Sequence, residues 1–400
     1  MYIKIEGSEI SAFANKEIIL FGASSTGMKA LEEFEQEHSV VIGFCDNNRA
    51  KRGTKLCGYE IYSPEDIQEM ALKNPSLSIM ITSTYDKEIF KQLKEMGLKN
   101  VYIVKTGVLH EKLPYSKFTN IILNKKEANQ KITGMIQSKI PFFIGRIGSV
   151  ELEILCNYKY FTGRIDGTDV SYTRNIKDIL CKCCGFFPAE DKLLDQFCEI
   201  YFKDIKEADL LWSMWESKYE DKLYHDCCPG TKLALYDDTG FPISEPLPWT
   251  SALEDKKVLV VHPFEKSIQN NYKQRDKLFT NKNFMPGFEL VTLKAVQTIA
   301  DNRETQYKDW FEALDSMKKS IEQTDFDIAL IGAGAYGFPL GAYVKKLGRQ
   351  ALHIGGMLQL YFGIRGKYYD QFQYHNEYWT RPTEEEKPKG FEKVEAGRYW

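Results

Sequence analysis

Short apolar runs alternate with amphipathic, helix-like stretches along most of the chain. Before residue 107 the runs EIILF, VVIGFC, LSIMIT and VYIV are almost wholly apolar, and polar turns or helical patterns separate them. A strand that is apolar at nearly every position is covered on both faces, which is typical of parallel sheets flanked by helices. The alternation resumes after residue 124 with PFFIG, VLVVH, FELVTL, DIALIG and ALHIG. The pattern predicts an α/β protein of two Rossmann-like domains with mainly parallel sheets.

The alternation breaks in the stretch TGVLHEKLPYSKFTN. We therefore place a first domain at residues 1–107, a connector at 108–124 and a second domain at 125–400. A chain of 400 residues exceeds the length at which single cores stop growing, which supports two domains. The last thirty residues, from Asp370, show no clear period, and we expect them to wrap the second domain or a partner.

Composition narrows the class of ligand. Lys and Arg number 53 against 56 Asp and Glu, the net charge is -3 and no basic cluster stands out, which argues against a nucleic-acid partner.

There is no signal-peptide pattern and no apolar run near the ~18 residues of a membrane span. Nine Cys without secretion signals indicate reduced thiols and a cytoplasmic location. The spacing in CKCC, Cys181 to Cys184, is unlike that of zinc knuckles, so we expect buried thiols and no metal.

The first Gly-rich turn follows the first apolar run, in FGASSTG, and the next run ends at Asp46. At such a turn the Gly residues and the helix N-terminus present backbone N–H groups to an anion. An acid at the end of the second strand is placed to accept from ribose hydroxyls. Because the spacing is G-x-x-x-x-G, a turn needed only for packing, with Asp46 capping the next turn, is an equally good interpretation.

A second Gly-rich turn lies in DIALIGAGAYGFPLGAYVKKLG, where Gly332, Gly334 and Gly337 fit G-x-G-x-x-G between a strand and a helix. The strand that follows, ALHIGG, ends in His353 and Gly355, without the acid that binds an adenosine ribose. The turn therefore favours a nucleoside diphosphate over a dinucleotide. The alternative is a turn that serves only the packing of the helix on the sheet.

Two further strand ends carry polar side chains. Arg146, Ser149 and Glu151 follow the strand PFFIG, at the edge of the sheet where α/β proteins bind ligands. The alternative is that Glu151 complements the helix dipole and pairs with Arg146. His262 ends the strand VLVVH, and here we favour a core histidine bonded to the backbone.

The segments IILFGASSTG, VIGFCDNN and GTKLCGYEIYSPEDI together resemble the N-terminal nucleotide-sugar-binding domain of bacterial sugar acyltransferases. The hexapeptide repeats of those acyltransferases are absent, so the resemblance does not imply acyl transfer. The ligand contacts that it implies are Gly22, Ser24, Gly27, Asp46 and Asn47.

Residues from roughly 130 to 370 resemble GT-D-type glycosyltransferases encoded with bacterial surface-polysaccharide genes. The resemblance lies in GRIGSVELEIL, VLVVHPF and LIGAGAYGFPLGAYVKKLGRQALHIGGMLQLYFGIRGK. It implies catalytic roles for Arg146 and Glu151. Ser149 stands where the family has an Asp, which removes a carboxylate and argues against a divalent metal. The donor contacts that it implies are Gly332, Gly334, Gly337, His353, Gly355, Gly356 and Gln359.

We therefore expect a glycosyltransferase that uses a nucleotide-diphosphate sugar, with a UDP-sugar as the expected donor, in bacterial polysaccharide or glycoconjugate biosynthesis. Its acceptor would be a glycan or lipid-linked glycan, and its partners would be other polysaccharide-assembly enzymes. We expect it in the cytoplasm or at the inner face of the membrane. Two alternatives stay open. The missing carboxylate at Ser149 favours a non-catalytic nucleotide-sugar-binding scaffold or sensor, and the lack of an acid after ALHIG disfavours an NAD-dependent nucleotide-sugar dehydrogenase or epimerase.

Overall fold

The chain forms two compact units, which are described separately. The computed structural model describes residues 4–5, 7–83, 85–105, 112–161, 163–165, 168–170, 172, 174–300, 306–371, 374–395 and 397–400. The first unit consists of Met1–Pro114, Leu152–Lys177 and Ser217–Tyr219, and the second of Tyr115–Glu151, Asp178–Glu216 and Glu220–Trp400. Each unit contains a mainly parallel sheet, which confirms the predicted α/β class with Rossmann-like domains.

Strands and helices alternate along the described chain. The strands are β1 (Lys4–Ile5), β2 (Glu17–Phe21), β3 (Val40–Cys45), β4 (Lys55–Leu56), β5 (Tyr59–Tyr62), β6 (Ser78–Ile81), β7 (Val101–Val104), β8 (Ile122–Leu123), β9 (Phe142–Arg146), β10 (Gly163–Ile165), β11 (Thr168–Val170), β12 (Leu210–Ser213), β13 (Leu233–Leu235), β14 (Lys257–His262), β15 (Glu289–Lys294), β16 (Ile328–Ile331) and β17 (Gln350–His353). The α-helices are α1 (Ser25–Gln36), α2 (Pro64–Lys73), α3 (Asp86–Glu95), α4 (Lys125–Gln137), α5 (Ser149–Cys156), α6 (Arg174–Ile179), α7 (Asp191–Ile205), α8 (Lys218–Cys227), α9 (Tyr236–Thr239), α10 (Glu265–Tyr272), α11 (Arg275–Leu278), α12 (Trp310–Glu322), α13 (Gly337–Lys346) and α14 (Leu358–Tyr361). Helices α5 and α6 continue into π-helical turns, Asn157–Phe161 and Leu180–Cys184.

The described part of the first unit contains a seven-stranded sheet in the order β1-β7-β6-β2-β3-β5-β4. Neighbouring strands pair in parallel, except that β4 pairs antiparallel with β5. The chain builds one half of the sheet outward from β2 and the other half from β6, so the strand order reverses between these two strands. In open parallel sheets a ligand crevice forms where the order reverses, outside the carboxyl ends of the strands.

Both faces of this first sheet are covered. In β2, Ile18 and Leu20 are buried in one apolar cluster, and Ile19 and Phe21 are buried in another. Successive side chains of a strand point to opposite faces, so the two clusters lie on opposite sides of the sheet. Burial on both sides is the reason that these strands are nearly continuous apolar runs in the sequence.

The described part of the second unit contains eight parallel strands in the order β15-β14-β16-β17-β9-β12-β13-β8. Its central strands end at Arg146 in β9, His353 in β17, Ile331 in β16 and His262 in β14. Because all of the strands run in the same direction, these ends lie on one edge of the sheet. The topology thus brings together residues that are far apart in the sequence.

Helix α13 lies unusually close to this sheet. A Cβ on Gly341 would be 2.2 Å from the ring of Phe143, and a Cβ on Gly145 would be 2.7 Å from the ring of Phe338. Glycine at these two positions therefore permits a contact that any larger residue would prevent. The helix that follows the second Gly-rich turn is fixed in this way to β9, the strand that carries Arg146.

The sequence-based boundaries and the compact units differ in three places. The predicted connector, 108–124, ends in β8, which pairs with β13 through Ile122 and Leu233. A strand of two residues is too short to produce a periodic pattern, and residues 108–111 lie outside the described chain. The segments Leu152–Lys177 and Ser217–Tyr219, predicted within 125–400, belong to the first unit.

Candidate functional site

A cavity of about 700 Å³ lies within the second unit, at the carboxyl edge of its sheet. Arg146 from the end of β9, His262 from the end of β14 and Gly332 after β16 contribute to its wall. Ligands of open α/β sheets bind at this edge. Much of the remaining wall is aromatic and comprises Trp215, Tyr236, Phe241, Phe264, Tyr336, Tyr368, Tyr369, Tyr374, Tyr399 and Trp400.

Arg146 supplies a positive charge to the cavity. Its Nε donates to the carbonyl oxygen of Ile354 over 3.3 Å, and its guanidinium lies 5.7 Å from the ring centre of Tyr236. Within the described ranges Arg146 forms no salt bridge with a carboxylate, so guanidinium donors remain for an anion. The predicted contact Gly355 has φ +76°, and a Cβ there would be 2.1 Å from Nη2 of Arg146. Gly355 therefore makes room for the guanidinium.

Glu151 supplies a carboxylate in the first turn of α5. It is 7% exposed, and it folds over Gly148 so closely that a Cβ on Gly148 would be 2.2 Å from Oε2. The thiol of Cys184 donates a hydrogen bond to this carboxylate. Burial raises the pKa of Glu151 above its ordinary value of 4.5, and the charge of Arg146 opposes that rise. A carboxylate with a raised pKa in a cavity wall is suited to accept a proton from a bound hydroxyl group.

The second Gly-rich turn forms the wall between β16 and α13. Gly332, Ala333 and Gly334 line the cavity. No hydrogen bond among the described residues uses the N–H groups of Ala333 and Gly334. Gly334 has φ +53°, and a Cβ there would be 2.8 Å from the carbonyl oxygen of Cys184, so this position requires glycine. The turn presents N–H donors in front of a helix, as anion sites do.

Gly337 and His353 lie behind this turn and outside the cavity wall. A Cβ on Gly337 would be 2.2 Å from the imidazole ring, so the glycine allows α13 to approach β17. His353 is 3% exposed, and its Nδ1 lies 3.3 Å from the carbonyl oxygen of Ile331. Burial, together with the charge of Arg146, lowers the pKa of His353 to about 3. These two predicted contacts therefore support the site through packing, as the third glycine of such a fingerprint does.

The C-terminal segment forms another wall of the cavity. Gln359 lines the cavity, but its Nε2 already donates to the carbonyl oxygen of Tyr399 over 3.2 Å. Arg398 lies 3.8 Å from the ring centre of Tyr368, and the backbone oxygen of Trp400 accepts from the N–H of residue 367 over 2.9 Å. The described part of the last thirty residues thus packs on the second unit, as the sequence predicts.

His262 shows that a core histidine can also belong to a site. Its Nδ1 accepts the N–H of Phe264 over 3.0 Å, which agrees with the backbone-bonded interpretation, yet the residue also lines the cavity. The signal in the sequence was its place at a strand end. Cys184 has no such signal, because a π-helical turn brings its thiol to Glu151.

A smaller cavity of about 390 Å³ lies within the first unit. It is placed at the reversal of strand order, with Phe21 from the end of β2 and Ser83 from just after β6 in its wall. The predicted contacts Gly22, Asp46 and Asn47 line it. The amide of Asn47 exchanges hydrogen bonds of 2.9 and 3.0 Å with a neighbouring glutamine side chain.

The carboxylate of Asp46 already accepts a hydrogen bond from the backbone of the first Gly-rich turn. Its Oδ2 accepts the N–H of Ala23 over 3.1 Å and pairs with Lys51 over 3.0 Å. Ser24 precedes α1 and Gly27 lies in its first turn, and neither lines the cavity. A Cβ on Gly27 would be 2.0 Å from the carbonyl oxygen of residue 22, which agrees with the packing interpretation of this turn. Ligand binding at these five predicted contacts stays a prediction.

Comparisons with known proteins bear on part of the chain. Residues 14–104 match a family model described as C2185-like, N-terminal. A crystal structure of RSP in complex with beta-NAD+ and operator DNA is similar at 18% identity over 22% of this chain and 48% of that one, with a TM-score of 0.18. The chain thus spans about half the length of that structure. No curated protein matches the chain.

Membrane-spanning helices and clusters of metal ligands are both absent from the described residues. No helix there combines the length and the apolar character that crossing a bilayer would need. Nor do three or more His, Cys, Asp or Glu side chains converge there in a way that would hold a metal ion.

Proposed function

We propose that the second unit is a glycosyltransferase domain that binds a nucleoside-diphosphate sugar and transfers its glycosyl group to an acceptor hydroxyl. One observation carries the proposal: a single cavity contains the guanidinium of Arg146, the open N–H groups of the Gly332–Gly334 turn and the buried carboxylate of Glu151. Guanidinium and N–H donors in front of a helix bind phosphate oxygens, and a carboxylate accepts the proton of an attacking hydroxyl.

The size and the lining of the cavity support the same class of ligand. Its volume of about 700 Å³ falls within the ~300–1,000 Å³ of small-molecule sites. Aromatic side chains such as Tyr236, Tyr369 and Tyr399 offer apolar faces with polar tips, which suit a nucleobase or the C–H face of a sugar. A cavity that is polar at one wall and aromatic elsewhere fits a ligand with a diphosphate between two rings.

The proposed reaction assigns a role to each group. The acceptor oxygen forms a bond to the anomeric carbon, and the bond between that carbon and the diphosphate oxygen breaks. The electron pair of the broken bond leaves on the diphosphate, where Arg146 and the Gly332–Gly334 turn offset the developing charge. The proton of the acceptor passes to Glu151. No step is assigned to a metal, because Ser149 supplies a hydroxyl where the GT-D-type family has a carboxylate.

The finer expectations rest on the resemblance alone. They are a UDP-sugar donor, a glycan or lipid-linked acceptor, partner enzymes of polysaccharide assembly, and a place in the cytoplasm or at the inner face of the membrane. Binding measurements test the donor first. We expect calorimetry and thermal shift with UDP-, GDP- and TDP-sugars to find at least one that binds and raises the unfolding midpoint.

Arg146→Met should weaken this binding about tenfold to hundredfold, because it removes hydrogen bonds to a charged group and keeps an unbranched apolar side chain. Arg349→Met is the matched control. Arg349 precedes β17, at the opposite edge of the sheet, where it lies 4.3 Å from the ring centre of Phe326. Its replacement should leave affinity unchanged.

Three other results would contradict the proposal. Binding of nucleotide-sugars without transfer of the glycosyl group to any acceptor, and without release of nucleoside diphosphate, would support a scaffold or sensor. Binding of NAD alone would support a dehydrogenase or epimerase. Equal loss of affinity in Arg146→Met and Arg349→Met would show that Arg146 acts only through stability.

A further inference from the structure

His262 lies beside the turn that the proposed function assigns to the diphosphate. Strands β14 and β16 are neighbours, with Val261 opposite Ile331, so the residues that follow them lie side by side. A Cβ on Gly332 would be 2.8 Å from Cδ2 of His262. Both residues line the cavity, so one edge of the imidazole ring adjoins the turn.

The hydrogen bonds of His262 determine which ring nitrogen carries the proton. Nδ1 accepts the N–H of Phe264 over 3.0 Å, so in the neutral ring the proton is on Nε2. The side chain is 3% exposed, and burial lowers the pKa of His262 to about 3, which keeps the ring neutral near pH 7. Nε2 makes no hydrogen bond within the described chain, yet it is not sealed from solvent. The open surface around this N–H is the cavity that His262 lines.

We propose that Nε2–H of His262 donates a hydrogen bond to the diphosphate bound at the Gly332–Gly334 turn. The inference rests on the proposed function and adds a contact with the leaving group. The Nε2–H group is open to the cavity beside the turn, where an anionic oxygen would accept its hydrogen bond. A neutral imidazole adds a directed hydrogen bond to the charge that Arg146 supplies, without adding a second cation.

Two substitutions separate this role from a structural one. His262→Asn places an amide oxygen near the position of Nδ1, where it accepts the N–H of Phe264, and removes the Nε2 donor. His262→Gln places an amide N–H near the position of Nε2 and gives up the acceptor for Phe264. The first variant therefore keeps the structural hydrogen bond, and the second keeps the proposed contact with the ligand.

Calorimetry measures the affinity of each variant for UDP and UDP-glucose, or for the corresponding GDP, CDP or TDP pair if wild type binds that pair instead. The unfolding midpoint of each variant is measured as well. We expect His262→Asn to bind about tenfold to hundredfold more weakly, with a midpoint near that of wild type. We expect His262→Gln to bind within a few-fold of wild type even where its midpoint falls. The reverse pattern, with Asn binding as wild type and Gln binding weakly, would overturn the inference.

Two further results distinguish a failure of this inference from a failure of the proposed function. If wild type binds none of these nucleotides, both the proposed function and the His262 contact are overturned. Wild type that binds while His262→Asn loses no affinity overturns only the contact. Where the variants do not fold, NMR of wild type with 15N-labelled histidine tests the contact. The Nε2–H resonance of His262 must shift on addition of UDP. An unshifted resonance overturns the contact.

Discussion

Glu151→Gln changes the charge of the site and almost none of its shape. Burial raises the pKa of Glu151 in the folded protein above 4.5, which is its ordinary value and that of the unfolded chain. Between 4.5 and the folded pKa, the folded state therefore binds more protons than the unfolded state. The free energy of unfolding then falls as the pH rises from 4.5 through the folded pKa, and it is constant above that value. Each unit by which the pKa is raised corresponds to a loss of about 1.4 kcal/mol.

Glutamine has no ionisable group, so the variant should lack this loss. We expect Glu151→Gln to be at least as stable as wild type at pH 7, and its advantage should shrink as the pH is lowered toward 4.5. Thermal unfolding between pH 4.5 and 8 measures the difference. For a unit of this size a gain of 1 kcal/mol raises the midpoint by about 2 °C or more.

Turnover gives the second readout for the same variant. If Glu151 accepts the proton of the acceptor, turnover should fall by ~10²-fold or more while the protein stays folded. Glu312→Gln is the matched control, because Glu312 is the third residue of α12, as Glu151 is of α5, and lies outside the cavity wall. Loss of its interaction with the helix dipole should cost at most ~1 kcal/mol and leave turnover alone. Equal small losses of stability with full turnover in both variants would refute the proposed role of Glu151.

Two other substitutions test the surroundings of the site. Cys184→Ala removes the hydrogen bond that lowers the pKa of Glu151, so the acidic limb of the pH profile of kcat/KM should move to higher pH; an unmoved limb would contradict this contact. Gly337→Ala would place a Cβ 2.2 Å from the ring of His353, and calorimetry should show a loss of about 1–3 kcal/mol. Gly134→Ala is its control, because nothing lies within 4 Å of the added Cβ inside α4, and it should be neutral or stabilising by up to ~1 kcal/mol.

Elements with a strong local signal could be predicted from the sequence. The runs that became β3 and β14 are apolar almost throughout because both faces of a parallel strand are covered. Helix α2 begins at Pro64, and Ser63-Pro64 is a typical start signal for a helix. The Ser63 hydroxyl accepts the N–H of Asp66, and the Asp66 carboxylate accepts the N–H of Ser63. In such places the local chemistry alone determines where an element begins.

Elements whose existence depends on distant contacts could not be predicted. Strands β8 and β13 have two and three residues, and only their pairing within the sheet makes them strands. The thiol of Cys184 reaches Glu151 because a π-helical turn follows α6. Periodicity carries no information about either arrangement, because both are set by tertiary packing.

The two Gly-rich turns show why a motif must be interpreted with its neighbours. In the first unit Asp46 already accepts the N–H of Ala23, so a phosphate there would replace a carboxylate or lie beside it. Two unit charges 4 Å apart interact by about 4 kcal/mol at an effective dielectric constant of about 20, and the pairing of Asp46 with Lys51 offsets part of that repulsion. In the second unit the strand after the turn ends in a neutral His353, and the N–H groups of Ala333 and Gly334 are open. The cation of Arg146 lines the same cavity together with the carboxylate of Glu151, whose pKa is raised by burial. The open N–H groups and the guanidinium of Arg146 are the donors that an anion at the second turn would need, and this is why we propose the donor diphosphate there.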